Sequence, residues 1–198
     1  MSASPEQSDQ QEQAGGSASR SSALLVVDVQ EGVVAGNHDV DGVVARIVGL
    51  VDRARAEGVP VVWVQHSDDG IPEGSDGWQL RAELTPAEGE PVVHKRYGDS
   101  FEATDLREQL ERLGVGRLVV AGAQTDMCIR STLHGALARG YDATLVGDAH
   151  TTEDLRQWGG PISPEQAIAY TNFYWAEAAA DGHRGDVATA EEVSLRTP

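Results

Sequence analysis

Between about residues 23 and 178, short apolar runs without polar alternation are interleaved with stretches of helical period, and this pattern constrains the fold most. Leu24-Leu25-Val26-Val27, Val59-Pro60-Val61-Val62-Trp63-Val64, Arg117-Leu118-Val119-Val120-Ala121-Gly122 and Asp142 to Val146 are strand candidates, with Pro91-Val92-Val93-His94 a shorter one. Val43, Ile47, Leu50, Val51 and Ala54 fall on one helical face, as do Leu106, Leu110 and Leu113, and then Ile129, Leu133, Ala136 and Leu137. Gly58, Gly114 and Gly140 close these three helices. A short helix is expected around Gln79 to Glu83. Ser163-Pro164-Glu165-Gln166 has the form of a capped start for a last helix, with Ile168 and Trp175 facing inward.

Strands alternating with helices imply right-handed crossovers and a parallel sheet. Unbroken apolar runs imply that both sheet faces are covered. The expected fold is therefore α/β, a three-layer α/β/α sandwich around a mostly parallel sheet. One domain is expected over 23–180. Residues 1–22, rich in Ser, Gln, Gly and Ala, read as a disordered N-terminal tail, and 181–198 as a C-terminal tail.

Composition narrows the partners. Thirty-two acidic and 15 basic residues leave a net charge of −17, which disfavours nucleic acid and anionic membrane surfaces. No apolar run approaches a membrane span, and no secretory pattern opens the chain, so a cytoplasmic location is expected. The single cysteine excludes an internal disulfide or a multi-cysteine metal site.

Ligands of open parallel sheets bind beyond the carboxyl ends of the strands. There the sequence places Asp28-Val29-Gln30, His94-Lys95-Arg96, and Gly122-Ala123-Gln124-Thr125-Asp126-Met127-Cys128. A carboxylate, an ammonium and a thiol can thus meet at one sheet edge. A helix N-terminus and a neighbouring cation both favour a thiolate. Asp28 can take the thiol proton and deliver it to a leaving amine, and amides at the helix start can hold an oxyanion. By spacing alone, a lone cysteine such as Cys128 reads more readily as an inert buried thiol.

The wording of three segments goes further. Leu24 to Gln30, Val93 to Leu106 (VHKRYGDSFEATDL) and Ala121 to Ile129 (AGAQTDMCI) resemble, in order and spacing, the strand, lysine and nucleophile segments of the isochorismatase-like cysteine hydrolases. That superfamily includes nicotinamidases, N-carbamoylsarcosine amidase and streptothricin hydrolase. The resemblance implies an Asp28–Lys95–Cys128 triad, a covalent intermediate on Cys128, and a cis peptide at Ala123–Gln124 that aims the Gln124 and Cys128 amides at the oxyanion. It also implies a small-molecule substrate and a homodimer or homotetramer.

The ligand pattern of metal-binding nicotinamidases is absent. His38 and His66 stand as isolated histidines, so no metal and no cofactor is expected. True isochorismatases cleave a vinyl ether without a nucleophilic cysteine; Cys128 points instead to an amide, lactam or carbamoyl bond. A vinyl-ether hydrolase, or a binding protein on the same fold, is the alternative.

Further candidates for substrate contact are Gln30, Trp78, Tyr97 and Phe101. Asp148 and His150 follow the fourth strand and could form a hydrolytic pair, but His150 reads more readily as a loop hydrogen-bonder. Specificity is expected to reside in loops 67–91 and 151–162, with a neighbouring subunit as a further contributor.

Overall fold

The computed structural model describes residues 21–196. Seven strands form one sheet in the order β3-β2-β1-β4-β5-β7-β6. They are β1 (Ser21–Val27), β2 (Val61–His66), β3 (Val92–Lys95), β4 (Val115–Ala123), β5 (Asp142–Thr151), β6 (Ala179–Ala180) and β7 (His183–Ala188). Every pairing is parallel except the edge pair β6–β7. The helices are α1 (Glu31–Val34), α2 (Val40–Glu57), α3 (Leu106–Arg112), α4 (Arg130–Ala138) and α5 (Pro164–Trp175). No helix among the described residues is long and apolar enough to cross a membrane.

Residues alternate between sheet faces along each strand. Leu24, Val26, Val61, Trp63, Val119 and Ala121 therefore pack on one side against Ile47, Leu50, Val51 and Ala54 of α2. Leu25, Val27, Val62, Val64, Leu118 and Val120 pack on the other side against Leu106 and Leu110 of α3, Leu133 and Ala136 of α4, and Trp175 of α5. Two apolar clusters on opposite sheet faces make the three layers read from the unalternating runs.

The strand order reverses next to β1. β2 and β3 extend the sheet on one side of it, and β4 returns to lie on the other. That reversal opens a crevice at the carboxyl ends of β1 and β4. The two strands run close there: a Cβ at Gly122, which has φ of +129°, would stand 2.0 Å from the Val27 carbonyl oxygen. Only glycine tolerates both that dihedral and that approach.

Several expectations need correction. Most of the segment 181–198 is not a tail: β7 pairs in parallel with β5, and Val193 and Leu195 are buried in the α2-side core, while residues 197–198 lie outside the described residues. Arg53 Nη2 also donates to the Val193 carbonyl at 2.9 Å. Their apolar residues are too sparse to show a period, because an edge strand and a short strap each bury only a few side chains. β1 opens at Ser21, inside the segment read as an N-terminal tail; residues 1–20 of that segment lie outside the described residues.

No helix forms over 79–83. A single 3₁₀ turn, Asp76–Trp78, precedes it, and Leu80 bridges back to Gln30. β5 runs on to Thr151, beyond the expected Val146. The last helix has the expected capping box at Ser163 and Gln166, but Ala167, Thr171 and Trp175 line its inward face while Ile168 is half-buried.

Candidate active site

Three strand ends deliver the reactive groups. Asp28 follows β1 in a left-handed conformation, φ +52°, which a short Asp side chain tolerates better than most. Its N–H still bonds the Val64 carbonyl at 2.9 Å, so the residue is both anchored and turned. Lys95 ends β3, two strands away from β1 and beside His66 of β2 in the register. Its four-carbon stem spans that gap. Cys128 lies in a wide π-type turn, Thr125–Ile129, between β4 and α4. The Ala123–Gln124 peptide leading into the turn is cis.

Lys95 Nζ lies 2.7 Å from Asp28 Oδ2 and 3.1 Å from Cys128 Sγ. It also donates to the Tyr97 carbonyl at 3.0 Å. These three acceptors match its three protons. Asp28 is fully buried and Lys95 nearly so. Lys95 holds Asp28 Oδ2, while Oδ1 has no hydrogen-bond donor and is left open to the Cys128 proton.

Burial raises the Asp28 pKa, against the lowering influence of Lys95. Burial lowers the tendency of Lys95 to stay charged, but Asp28 and Cys128 outweigh it, so its pKa is raised. The Cys128 thiol is pushed up to about 12, by burial first and by the Asp28 charge next. The pull of the helix start and of Lys95 toward a thiolate is outweighed by burial and the Asp28 charge. One ammonium faces both acids, and burial works against the charged form of each.

A cleft of about 280 Å³ opens above Cys128. Asp28, Gln124, Met127 and Cys128 line it with Gly32 and Val33; His66 at the end of β2, Asp68 and Ile71 from the loop after it, and Glu153 from the segment after β5 complete the lining. Loops 67–91 and 151–162 thus both reach the cleft.

The other sequence-named residues divide. Gln124 lines the cleft, and its side chain reaches the Val33 carbonyl at 3.3 Å. Gln30 does not reach it. Fully buried, its amide donates to the His66 and Trp78 carbonyls at 2.9 and 2.8 Å and accepts from the His66 N–H at 2.7 Å. It clasps the 67–91 loop to β2. Trp78 lies outside the cleft lining, its ring edge-on to His94 at 5.3 Å. Phe101 is buried between Tyr141 and the Arg139 guanidinium. Tyr97 contributes its carbonyl, while its side chain is exposed.

Asp148 and His150 do not pair. Asp148 Oδ1 accepts from the Ala190 N–H at 2.7 Å. His150 is buried and hydrogen-bonds Thr125 Oγ1 at 2.8 Å and Asn172 Oδ1 at 2.9 Å. Asn172 Nδ2 donates to the Gly147 carbonyl, so Asn172 Oδ1 must accept from His150 Nε2–H. His150 Nδ1 then accepts from Thr125, which braces the nucleophile turn from beneath. His66 was read as isolated; it lines the cleft, with Nε2 3.1 Å from Asp68 Oδ2 and Nδ1 3.5 Å from Lys95 Nζ. Its place at the end of β2, beside β1, was the available signal.

These features define a doubly wound α/β protein with a carboxylate, an ammonium and a thiol in its switch-point crevice. The isochorismatase domain model matches residues 22–159, and the chain belongs to the isochorismatase family of hydrolases. It is similar to streptothricin hydrolase of Streptomyces noursei, 40% identical over 141 residues that make up 67% of this chain and 55% of that protein. It is 32% identical to ureidoacrylate amidohydrolase RutB of Methylobacterium radiotolerans, over 64% of this chain and 65% of that one. The chain thus spans less than two thirds of both relatives. An isochorismatase structure from Pseudomonas putida KT2440 superposes with a TM-score of 0.78 at 30% identity, covering 87% of this chain and 90% of that one.

Proposed function

We propose that this protein hydrolyses a carbon–nitrogen bond of a small molecule, an amide, lactam or carbamoyl group, through an acyl intermediate on Cys128. The observation that carries this reading is the contact of one buried ammonium with both a carboxylate and a thiol, at 2.7 and 3.1 Å. The names of the amidohydrolase relatives agree with it.

Asp28 takes the Cys128 proton as Sγ attacks the carbonyl carbon. The C=O pair moves to oxygen, where the Gln124 and Cys128 amides receive it. The C–N bond then breaks, and Asp28 passes its proton to the departing nitrogen. Water attacks the thioester, Asp28 accepts its proton, and the sulfur leaves and is reprotonated. Lys95 stays charged throughout and stabilises whichever partner is anionic. The raised Asp28 pKa suits this exchange, since a carboxylate that is too acidic would not accept a thiol proton. No step calls on a metal. Among the described residues, no three His, Cys, Asp or Glu side chains converge as a metal-binding group.

The direct test is a panel of small amides, lactams and carbamoyl compounds, read by release of ammonia or amine and by the intact mass of the protein during turnover. An acyl-sized mass increase on Cys128 is expected; turnover with no adduct under rapid quench would sink the covalent route.

The pH profile is a second check. The competent resting state has Asp28 ionised, Lys95 charged and Cys128 protonated. Activity falls as pH is lowered through the Asp28 pKa, so the acid limb of kcat/KM should lie above the ordinary Asp value of 3.8. Lys95 titrates above its ordinary 10.5 and Cys128 at about 12. The profile should therefore stay flat from neutral pH to about 10. An alkaline limb near pH 8, where an ordinary thiol titrates, would contradict the assignment.

A further inference from the structure

The charges around the cleft are one-sided. Of the ionisable side chains that line it, Asp28, Asp68 and Glu153 are acidic and His66 is the only basic one. Lys95 stands behind this lining and is matched by the Asp28 carboxylate. Two further carboxylates therefore line the cleft, and its one basic side chain, His66, is taken up by Asp68.

They differ in what else they do. Asp68 closes a turn: its Oδ1 accepts from the Gly70 and Ile71 N–H groups, both at 2.8 Å, and Oδ2 meets His66. Glu153 is half-buried and, among the described residues, has no hydrogen bond or ion pair. It also lines an adjoining cavity of about 290 Å³, alongside Asp126, Leu155, Ile162 and Tyr170. Arg130 lines that second cavity but not the cleft over Cys128. A half-buried carboxylate without a partner loses hydration and gains nothing within the chain to offset it. A cation arriving with the substrate would supply the missing partner.

We propose that Glu153 is the specificity-determining residue of this cleft and receives a protonated amine, or a comparable cationic group, on the substrate flank next to the scissile bond. The assignment rests on Cys128 being the reacting centre, as argued above. It excludes carboxylate substrates: an anion entering the cleft would face Asp68 and Glu153 with no free arginine or lysine.

Cys128 is the only cysteine, so its labelling reads the cleft without requiring hydrolysis. The 2-ammonioethyl, methyl and 2-sulfonatoethyl methanethiosulfonates carry positive, zero and negative charge. Their rates on the whole protein, measured by intact mass and divided by their rates on glutathione, give the charge preference of the cleft. The cation-over-anion ratio is expected to reach about 100-fold, to fall at least about 10-fold in Glu153→Gln, and to invert in Glu153→Lys. Glu88→Gln makes the same change in net charge on an exposed turn outside both cavities, and should leave the ratio within about twofold.

Equal ratios in Glu153→Gln and Glu88→Gln would overturn the proposal. So would a wild-type protein that shows no preference. A protein that labels with the predicted preference but releases no amine from any amide would instead count against the hydrolase reading. An active amidase without the preference would count against Glu153 alone.

Discussion

Cys128→Ala is expected to lower kcat/KM on any amide substrate by at least about 10⁴-fold and to abolish the acyl adduct, while the protein stays folded. The size of the effect follows from the mechanism: without sulfur there is no first step, and what remains is substrate binding beside the oxyanion amides. The fold should tolerate the change because the thiol is half-buried and protonated at rest, so its loss strands no charge. Cys128→Ser should be nearly as poor. A hydroxyl is far less acidic than a thiol, and a base that barely suffices for the thiol cannot ionise it. Far-ultraviolet circular dichroism and the melting temperature of each variant, measured with the kinetics, separate lost chemistry from lost structure. A Cys128→Ala protein that keeps even a tenth of wild-type turnover would rule out covalent catalysis at this residue and return the vinyl-ether alternative to first place.

The architecture was legible because its strands are buried on both faces. Val61 to Val64 and Leu118 to Ala121 read as unbroken apolar runs, and the structure divides each run between the two clusters by alternation. The same logic explains what was missed. β7 lies near the sheet edge and carries one buried glycine within a polar sequence, so no run announces it. The 3₁₀ turn at Asp76–Trp78 is held by Gln30 and Gln65 bonding to the Trp78 carbonyl, contacts that span 48 and 13 residues and leave no local pattern.

The site divided along similar lines. Asp28, Lys95 and Cys128 were readable because each follows a strand that the pattern located. Gln30 and Phe101 sit in those same segments but point elsewhere, and side-chain direction beyond a strand end is set by tertiary packing. Glu153 carried no signal, since a single acid in a polar loop is ordinary until the cleft it faces is known. A helix start and a lysine that favour a thiolate are visible in sequence, whereas the burial and the Asp28 charge that oppose it are not.

Lys95→Met should reveal how the buried pair is held together, through its stability as well as its activity. Removing the ammonium leaves the Asp28 carboxylate buried with no counter-ion. Breaking one side of such a pair costs about 3–5 kcal/mol. The cost must depend on pH. Asp28 in the folded protein already has a raised pKa, and without Lys95 it will be raised further. Above its unfolded value near 3.8, the folded variant then binds a proton that the unfolded chain has released. Stability consequently falls as pH rises through that window and recovers as pH falls back toward 4. Urea unfolding of wild type and Lys95→Met at pH 5 and pH 8 should show a larger difference at pH 8. Adding Asp28→Asn to Lys95→Met removes the stranded charge and should recover most of the loss at pH 8, giving a coupling energy of about 2–3 kcal/mol in the double-mutant cycle. Each of these variants should be catalytically dead, so stability is the informative readout. If Lys95→Met were no less stable than wild type at pH 8, or if its deficit were the same at both pH values, Asp28 could not be the ionised partner of Lys95 at rest. The negative charge would then have to reside on Cys128, and the proton would begin on the carboxylate.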